Sequence, residues 1–520
     1  MSRRFWILVA VVLGSAIVFL DSTIVNVALP QIARDLDSSI FTDLEGQAYV
    51  YYSYLLTLSS LLILAGALSD YYGHRRMFVI GLAGFGVTSV LCGLAPTMEF
   101  LIGARILQGA TGALLVPGSL AIISASFKNE EQGRAFGIWA GASAATAIFG
   151  PAIGGFMVGT ISWRAAFLMN IPLVAIALWA AVKHVPESRD ESASSHFDWL
   201  GATVVALAIG GLTFGAIRGQ AQEWETPTAF ISLAIGTAAL IAFPLLMARA
   251  KHPLVPLEMF KNRNFSVTNV STMLIYGALY VNGQYFALFA IGTLRYNELA
   301  FGLAGIPGTI FLALFSSRFG GLAVRYGPRV FMTVGPIVMG LGLLWLARIP
   351  GTSEPWRVES SDTASWIPPG DYLVDVLPGF VVFGIGIMIM VAPLTTALMR
   401  SVPGHRTGLA SAINNALSRV GPQLAGALLF IAISSSFYAS LAETLPATTV
   451  ESPRFREQVS PLNRPDESVG PDVAAKVADA SAGAFHLAMI VSAGLCFAGA
   501  AINGLGIKNE QLHDGGEAAA

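Results

Sequence analysis

The segment GALSDYYGHRR (66–76) returns in altered form as GGLAVRYGPR (320–329). Gly66, Leu68, Gly73 and Arg75 have counterparts at the same spacing in Gly320, Leu322, Gly327 and Arg329. Each copy follows one long apolar run and precedes another. A duplicated polar turn between apolar runs points to a chain built from two related halves, an arrangement common in transporters that bind substrate between two bundles.

Working outward from these turns, uncharged apolar runs of membrane-spanning length occur at 5–29, 47–68, 77–95, 101–123, 135–158, 166–182, 199–217, 229–248, 265–291, 299–317, 330–347, 376–398, 407–435 and 484–506. Composition agrees. Of 520 residues 54 % are hydrophobic, close to what fourteen helices of about 20 residues require. Only 12 % are charged, about half the share usual in soluble domains. Backbone groups in lipid must satisfy one another within the segment, so the runs are read as helices. The fold class is therefore all-α, polytopic and membrane-embedded. The basic start, MSRRFW, resembles a signal peptide, but its apolar run is too long for a cleaved one and is read as a retained first helix.

The two copies of the turn follow spans 2 and 10, an offset of eight. A plain six-plus-six arrangement would give six, so spans 7 and 8 are read as an insertion. The expected organisation is a six-helix bundle over 1–185, then a linker with two inserted helices over 186–250. A second six-helix bundle follows over 251–508, and a tail over 509–520. Segments 348–375 and 436–483, rich in Ser, Pro, Asp and Glu, are expected as outer loops with little core of their own; a short amphipathic helix within 466–482 is left open. With Arg3 and Arg4 placed in the cytoplasm, inner segments carry 18 Lys and Arg against 10 outside. The positive-inside rule then puts both termini inside a cell membrane.

Several classes are excluded. A net charge of −2 without a basic tail gives no footprint for nucleic acid. Seven histidines without paired metal spacing, and no GxxxxGK[ST] pattern, give no basis for an enzyme or for ATP driving. Cys92 and Cys496 lie in apolar runs and frame no disulfide scaffold. No cofactor and no metal are expected.

Three charges remain inside the spans: Asp21, Arg105 and Arg419. An ionisable side chain at membrane depth is costly, so each must face protein or water. Asp21 is a candidate to bind and release a proton; the alternative is a permanent ion pair. Arg105 stays protonated and so cannot carry the proton. Gln108, three residues on, shares its helix face. Arg419 has no obvious acidic partner in any span, leaving a structural or a substrate-facing role.

The segment LDSTIVNVALP (20–30), the loop 66–76, Arg105-Ile-Leu-Gln108-Gly109, Gly150-Pro151-Ala-Ile-Gly154-Gly155, VPLEMFKNRNF (255–265) and GLASAINNALSRVG (408–421) together resemble the fourteen-helix drug:proton antiporter subfamily of the major facilitator superfamily. The resemblance covers nearly the whole chain. It departs at Tyr71, where the pattern usually has a basic residue, and at His74. It implies a monomeric secondary transporter that exports small amphipathic molecules against a proton gradient by alternating access. A facilitator or symporter for a small metabolite on the same fold is the alternative. The resemblance also places span 4 beside span 1, so that Asp21, Arg105 and Gln108 can couple to protons. It makes Gly66, Asp70, Gly73, Arg75 and Arg76 a conformational loop, with simple anchoring and turn formation as the other reading. It makes Gly141, Gly150, Pro151, Gly154 and Gly155 the antiporter motif.

From the residues alone, Pro151 beside Gly150 predicts a bend in span 5, and small residues at spacing four predict close packing. Tyr276, Tyr280 and Gln284 share one face of span 9 at i, i+4 and i+8. With Tyr52, Asn414, Asn415 and Arg419 they are candidates to line a substrate cavity. For the tyrosines, an interfacial belt or helix packing is the alternative.

Overall fold

A computed structural model describes residues 2–37, 43–188, 197–221, 226–359, 362–450, 452–466 and 468–509, all-helical with no strand among them. Most of the expected linker, most of the tail, and the side chains of Pro151 and Gly155 lie outside the described residues. The backbone there is described, and one helix runs unbroken from 129 to 160 through position 151.

The helices are α1 (Arg3–Asp35), α2 (Asp43–Tyr72), α3 (His74–Gly93), α4 (Met98–Gly112), α5 (Leu115–Ser126), α6 (Asn129–Thr160), α7 (Trp163–Leu168), α8 (Asn170–His184) and α9 (Trp199–Ala221). They continue with α10 (Pro227–Arg249), α11 (Arg263–Gly292), α12 (Glu298–Tyr326), α13 (Pro328–Leu346), α14 (Leu377–Arg400), α15 (Thr407–Thr444), α16 (Ala447–Val450), α17 (Pro453–Gln458) and α18 (Pro471–Gly506). Among the described residues, 13 spans are long and apolar enough to cross a bilayer. The 32-residue α6 is a further long helix, in the place of expected span 5. Spans 4 and 6 are each two helices: α4 passes to α5 after Gly112, and α7 to α8 at Met169.

One expectation needs correction. The segment 436–483 is not all loop: α15 runs on to Thr444 and α18 begins at Pro471. Pro471 sits in the first turn of α18, where its missing N–H is no loss. The charges of Asp472, Lys476 and Asp479 recur at helical spacing, so the helix continues beyond the uncharged run with one polar face. The segment 348–375 likewise has a small core. Trp356 is buried against Tyr296 and Tyr372, and Asn297 exchanges hydrogen bonds with Val358.

α1 begins and α18 ends on one face of the bundle, called the terminal face. There Arg3 Nε donates to the His184 carbonyl at the end of α8, and Arg263 Nε donates to the Gly506 carbonyl at the end of α18. The repeated turns also lie here, and they match in detail. Gly73 and Gly327 adopt φ of 110° and 85°, a region that glycine enters without strain. Two residues on, the Arg75 amide donates to Glu187 Oε1 (3.1 Å) and the Arg329 amide donates to Asn509 Oδ1 (3.2 Å). Both guanidinium groups cap a helix C-terminus: Arg75 on the Val182 carbonyl in α8, Arg329 on the Gly504 carbonyl in α18. Each turn is thus strapped by the segment that leaves the last helix of its own half.

The seam between the first six and the last six spans is made of small residues. On α6, a β-carbon at Gly133, Gly137 or Gly141 would press into α12 at Gly320, Ser317 or Ala313. Ser316 Oγ donates to the Gly137 carbonyl at 2.7 Å. On α2, Gly66 abuts Gly408 and Ala412 of α15. Without side chains the backbones approach closely. Further along α12, away from the terminal face, Gly305 and Gly302 have nothing within 4 Å. The close backbone packing between the halves is thus found toward the terminal face and does not continue at these positions toward the other side, the far face. α9 packs against α2 near Ser60 through Gly210, and α10 packs on α9 through Gly236 and Gly211. Little of α10 is covered by protein, as expected of a helix surrounded by lipid.

Gly320→Val is expected to wedge α6 and α12 apart. Spin labels placed across this seam on the terminal face should report a longer mean distance than in the native protein, while the protein remains inserted.

Candidate functional site

α1 brings Asp21, and α4 brings Arg105 and Gln108, to a point with no solvent exposure. Arg105 Nη1 donates to Asp21 Oδ2 at 2.5 Å and to Gln108 Oε1 at 2.7 Å. Gln108 Nε2 in turn donates to Asp21 Oδ1 (3.1 Å) and to Ser89 Oγ of α3 (2.9 Å). Asn170 Nδ2 donates to the same Asp21 oxygen at 3.2 Å. Arg105 Nε donates to the Val50 carbonyl of α2 at 3.2 Å, and the guanidinium lies 4.1 Å from the centre of the Tyr54 ring. A buried pair repays its desolvation only when its remaining donors and acceptors are satisfied. Here Asp21 accepts three hydrogen bonds from two helices, whereas Arg105 Nη2 is buried without a hydrogen-bond partner among the described residues and the Tyr54 ring lies against the guanidinium.

Asn170 and Ser89 were not singled out in the sequence. Asn170 stands at the start of α8, just after Met169, where span 6 breaks into two helices. Ser89 is one small polar residue in an apolar run, and no local pattern distinguishes it.

A second cluster closes the terminal face. Both oxygens of Asp70, at the end of α2, accept backbone N–H groups at the start of α15: Gly408 at 2.9 Å and Leu409 at 2.8 Å. These are unpaired amides of a helix N-terminus, where a carboxylate is favoured. His74 Nε2 lies 2.8 Å from Asp70 Oδ1, and its Nδ1 lies 2.8 Å from Ser188 Oγ. Asp70 therefore holds the first amides of a helix of the other half and, through His74, also contacts α3, the helix that follows it. Arg75 reaches α8, and Arg76 is exposed.

The antiporter-motif glycines divide between two neighbours. Gly150 and Gly154 pack α6 on α1 at Thr23 and Ile24, beside Asp21, whereas Gly141 faces α12.

Of the residues suggested for a cavity, the tyrosines pair within their own helices. The rings of Tyr51 and Tyr52 lie 5.5 Å apart on α2, and those of Tyr276 and Tyr280 lie 6.4 Å apart on α11. α15, which carries Arg419, packs against both helices. Gln284 lines an open cavity toward the far face. Asn414 does not share in this. Its amide is buried and donates to Asn269 Oδ1 and Thr272 Oγ1 of α11, so it ties α15 to α11. The Asn415 amide donates back to the Ser411 carbonyl in its own helix.

A family model described as Major Facilitator Superfamily matches residues 11–426. The chain belongs to this superfamily. It is thereby placed among membrane transporters, not enzymes. The chain is 31 % identical over 435 residues to the multidrug resistance protein Stp of Mycobacterium tuberculosis, covering 84 % of this chain and 76 % of that one. It is also 31 % identical to the tetracenomycin C resistance and export protein of Streptomyces glaucescens, over 82 % of this chain and 76 % of the relative. Among solved structures, the proton:xylose symporter XylE aligns with a TM-score of 0.57 at 14 % identity, over 96 % of this chain and 94 % of that one. That likeness establishes the fold.

Asp70→Ala removes the acceptor of two α15 amides. By analogy with lost helix caps the cost is about 1–2 kcal/mol, enough to bias the seam open. A single cysteine placed at position 412, with Cys92 and Cys496 replaced, should be labelled faster by maleimide in the Asp70→Ala background.

Proposed function

We infer that the chain is a secondary active exporter that releases small amphipathic molecules in exchange for protons, by alternating access between two six-helix bundles. The bundles would comprise 1–185 and 251–508, with 186–250 supplying the two added helices and 509–520 a tail. The observation that carries this reading is the Asp21–Arg105 pair, one titratable carboxylate held by a permanent cation inside a span. The matched straps at Glu187 and Asn509 support the two-bundle division, and the export and resistance named for the two relatives support outward transport. The terminal face is assigned to the cytoplasm on the count of Lys and Arg, within a bacterial cell membrane, and the working unit is taken as the monomer.

In the arrangement seen, Asp21 is sealed and its charge is matched. Proton and Arg105 compete for the same carboxylate. Protonation removes the ionic half of the contact, leaving Arg105 with Gln108, the Val50 carbonyl and the Tyr54 ring. α4 is then free to shift relative to α1 and, through Gly150 and Gly154, to α6 at the seam. Asp70 holds α15 at the terminal face; with that face assigned to the cytoplasm, this contact would latch an outward-facing state.

The test is purified protein in proteoliposomes with an imposed pH gradient, a panel of dyes, drugs and metabolites, and a pH-sensitive dye in the lumen. Substrate and proton should move in opposite directions. Asp21→Asn should bring coupled flux to background with the protein still inserted; undiminished drug-induced proton flux in this variant would sink the assignment. Arg105→Ala strands a buried carboxylate, at a cost of about 3–5 kcal/mol, and should lower the melting temperature as well as transport. Asp21→Asn combined with Arg105→Gln should recover the melting temperature but not the proton flux.

A further inference from the structure

We propose that the path through this transporter is built for organic anions, aromatic amphipathic molecules bearing a carboxylate or sulfonate, with Arg419 as the group that receives the charge. This rests on the exporter reading above and names the substrate class for it.

Arg419 lies on α15 and is half-buried. Among the described residues, no hydrogen bond or ion pair to its guanidinium is found. Two turns earlier on the same helix face, Ala412 meets Gly66 of α2, so Arg419 faces the seam between the halves. Tyr51 and Tyr52 lie on α2 of one half and Tyr276 and Tyr280 on α11 of the other, and α15, which carries Arg419, packs against both helices.

The charges there do not balance. Asp21 is already matched by Arg105, and Asp70 is bound to the start of α15. One positive charge is left over. A cation held away from bulk water without a counter-charge is costly, and a guanidinium offers paired donors that fit a carboxylate or sulfonate. The tyrosine rings add apolar faces and hydroxyl groups for the body of the ligand. A cationic drug would meet repulsion at the same place.

A second observation extends the path. One turn beyond Tyr280, Gln284 lines a cavity of about 760 Å³ toward the far face, together with Arg295, Arg357 and Arg464. Its described lining contains no carboxylate. Basic side chains thus line the cavity at the outer end of the helix that carries Tyr276 and Tyr280. For an exporter this has an electrical consequence. An anion leaving and a proton entering both move with an inside-negative membrane potential.

The experiment uses the full chain in proteoliposomes under a pH gradient with three probes. Two share one scaffold: 8-anilinonaphthalene-1-sulfonate is anionic and N-phenyl-1-naphthylamine is neutral. Ethidium is the cation. Wild-type protein should exchange the sulfonate for protons, faster when a potassium diffusion potential makes the cytoplasmic side negative. Arg419→Gln should lower the ratio of sulfonate to neutral transport about tenfold, the loss expected for one charge-assisted contact, and Arg419→Lys should restore part of it. Equal loss of both naphthylamine probes in a correctly folded Arg419→Gln protein would make Arg419 structural and overturn the proposal. So would proton-coupled transport of ethidium without transport of the sulfonate, which would leave the antiporter reading standing. If none of the three probes exchanges for protons, the antiporter reading itself falls, and this inference with it.

Discussion

A carboxylate and a guanidinium placed where water does not reach must find each other. Asp21 and Arg105 meet this demand, and five helices arrange themselves around the result. α1 supplies the acid and α4 the base with Gln108. α2 supplies the Val50 carbonyl and the Tyr54 ring, α3 supplies Ser89, and α8 supplies Asn170. Breaking such a pair on one side leaves an uncompensated charge. The pair therefore fixes how α1 and α4 sit for as long as both charges persist. A proton is the one small species that can cancel the acid without entering as a ligand, which is why the proposed coupling is placed at this pair.

The seam is built for movement by the opposite means. Where α6 crosses α12, and α2 crosses α15, glycines replace side chains and backbone lies against backbone. Contacts of this kind carry little interdigitation, so they can separate as a unit. What holds them on the terminal face is directional: Asp70 on the first amides of α15, and Ser316 on the Gly137 carbonyl. α6 joins the two systems, since it carries Gly141 toward α12 and carries Gly150 and Gly154 toward the helix that holds Asp21.

The duplicated turn shows how far the halves remain alike. Gly73 and Gly327, Arg75 and Arg329, and the straps at Glu187 and Asn509 correspond in their hydrogen bonding, each arginine giving its amide to a strap and its guanidinium to a helix-end carbonyl. One of the sequence differences between the turns bears on the seam. Asp70 has Val324 as its counterpart, so only the first half carries the carboxylate that reaches across the seam. Like turns, joined by one unlike contact, give a latch that holds from one side.

The spans, the two-half plan and the short roll of intramembrane charges were legible in the sequence, because apolar run length, turn residues and charge are local properties. Asp21 and Arg105 could be named for the same reason: a charge in hydrocarbon is conspicuous wherever it stands, and Gln108 followed from its place one turn from Arg105. Tertiary structure alone decided the partners. Asn170 lies 149 residues from Asp21, and Gly408 lies 338 residues from Asp70. Neutral polar residues such as Ser89 carry no signal until packing sets them against a charge. The extent of α18 also escaped a search for uncharged runs, since a helix may leave the membrane and continue with a polar face. Asn414 looked like a cavity residue because it is polar at depth, yet packing turned it toward α11. Which face of a helix meets a neighbour, a ligand or lipid depends on what the rest of the chain places beside it, and a linear pattern does not contain that.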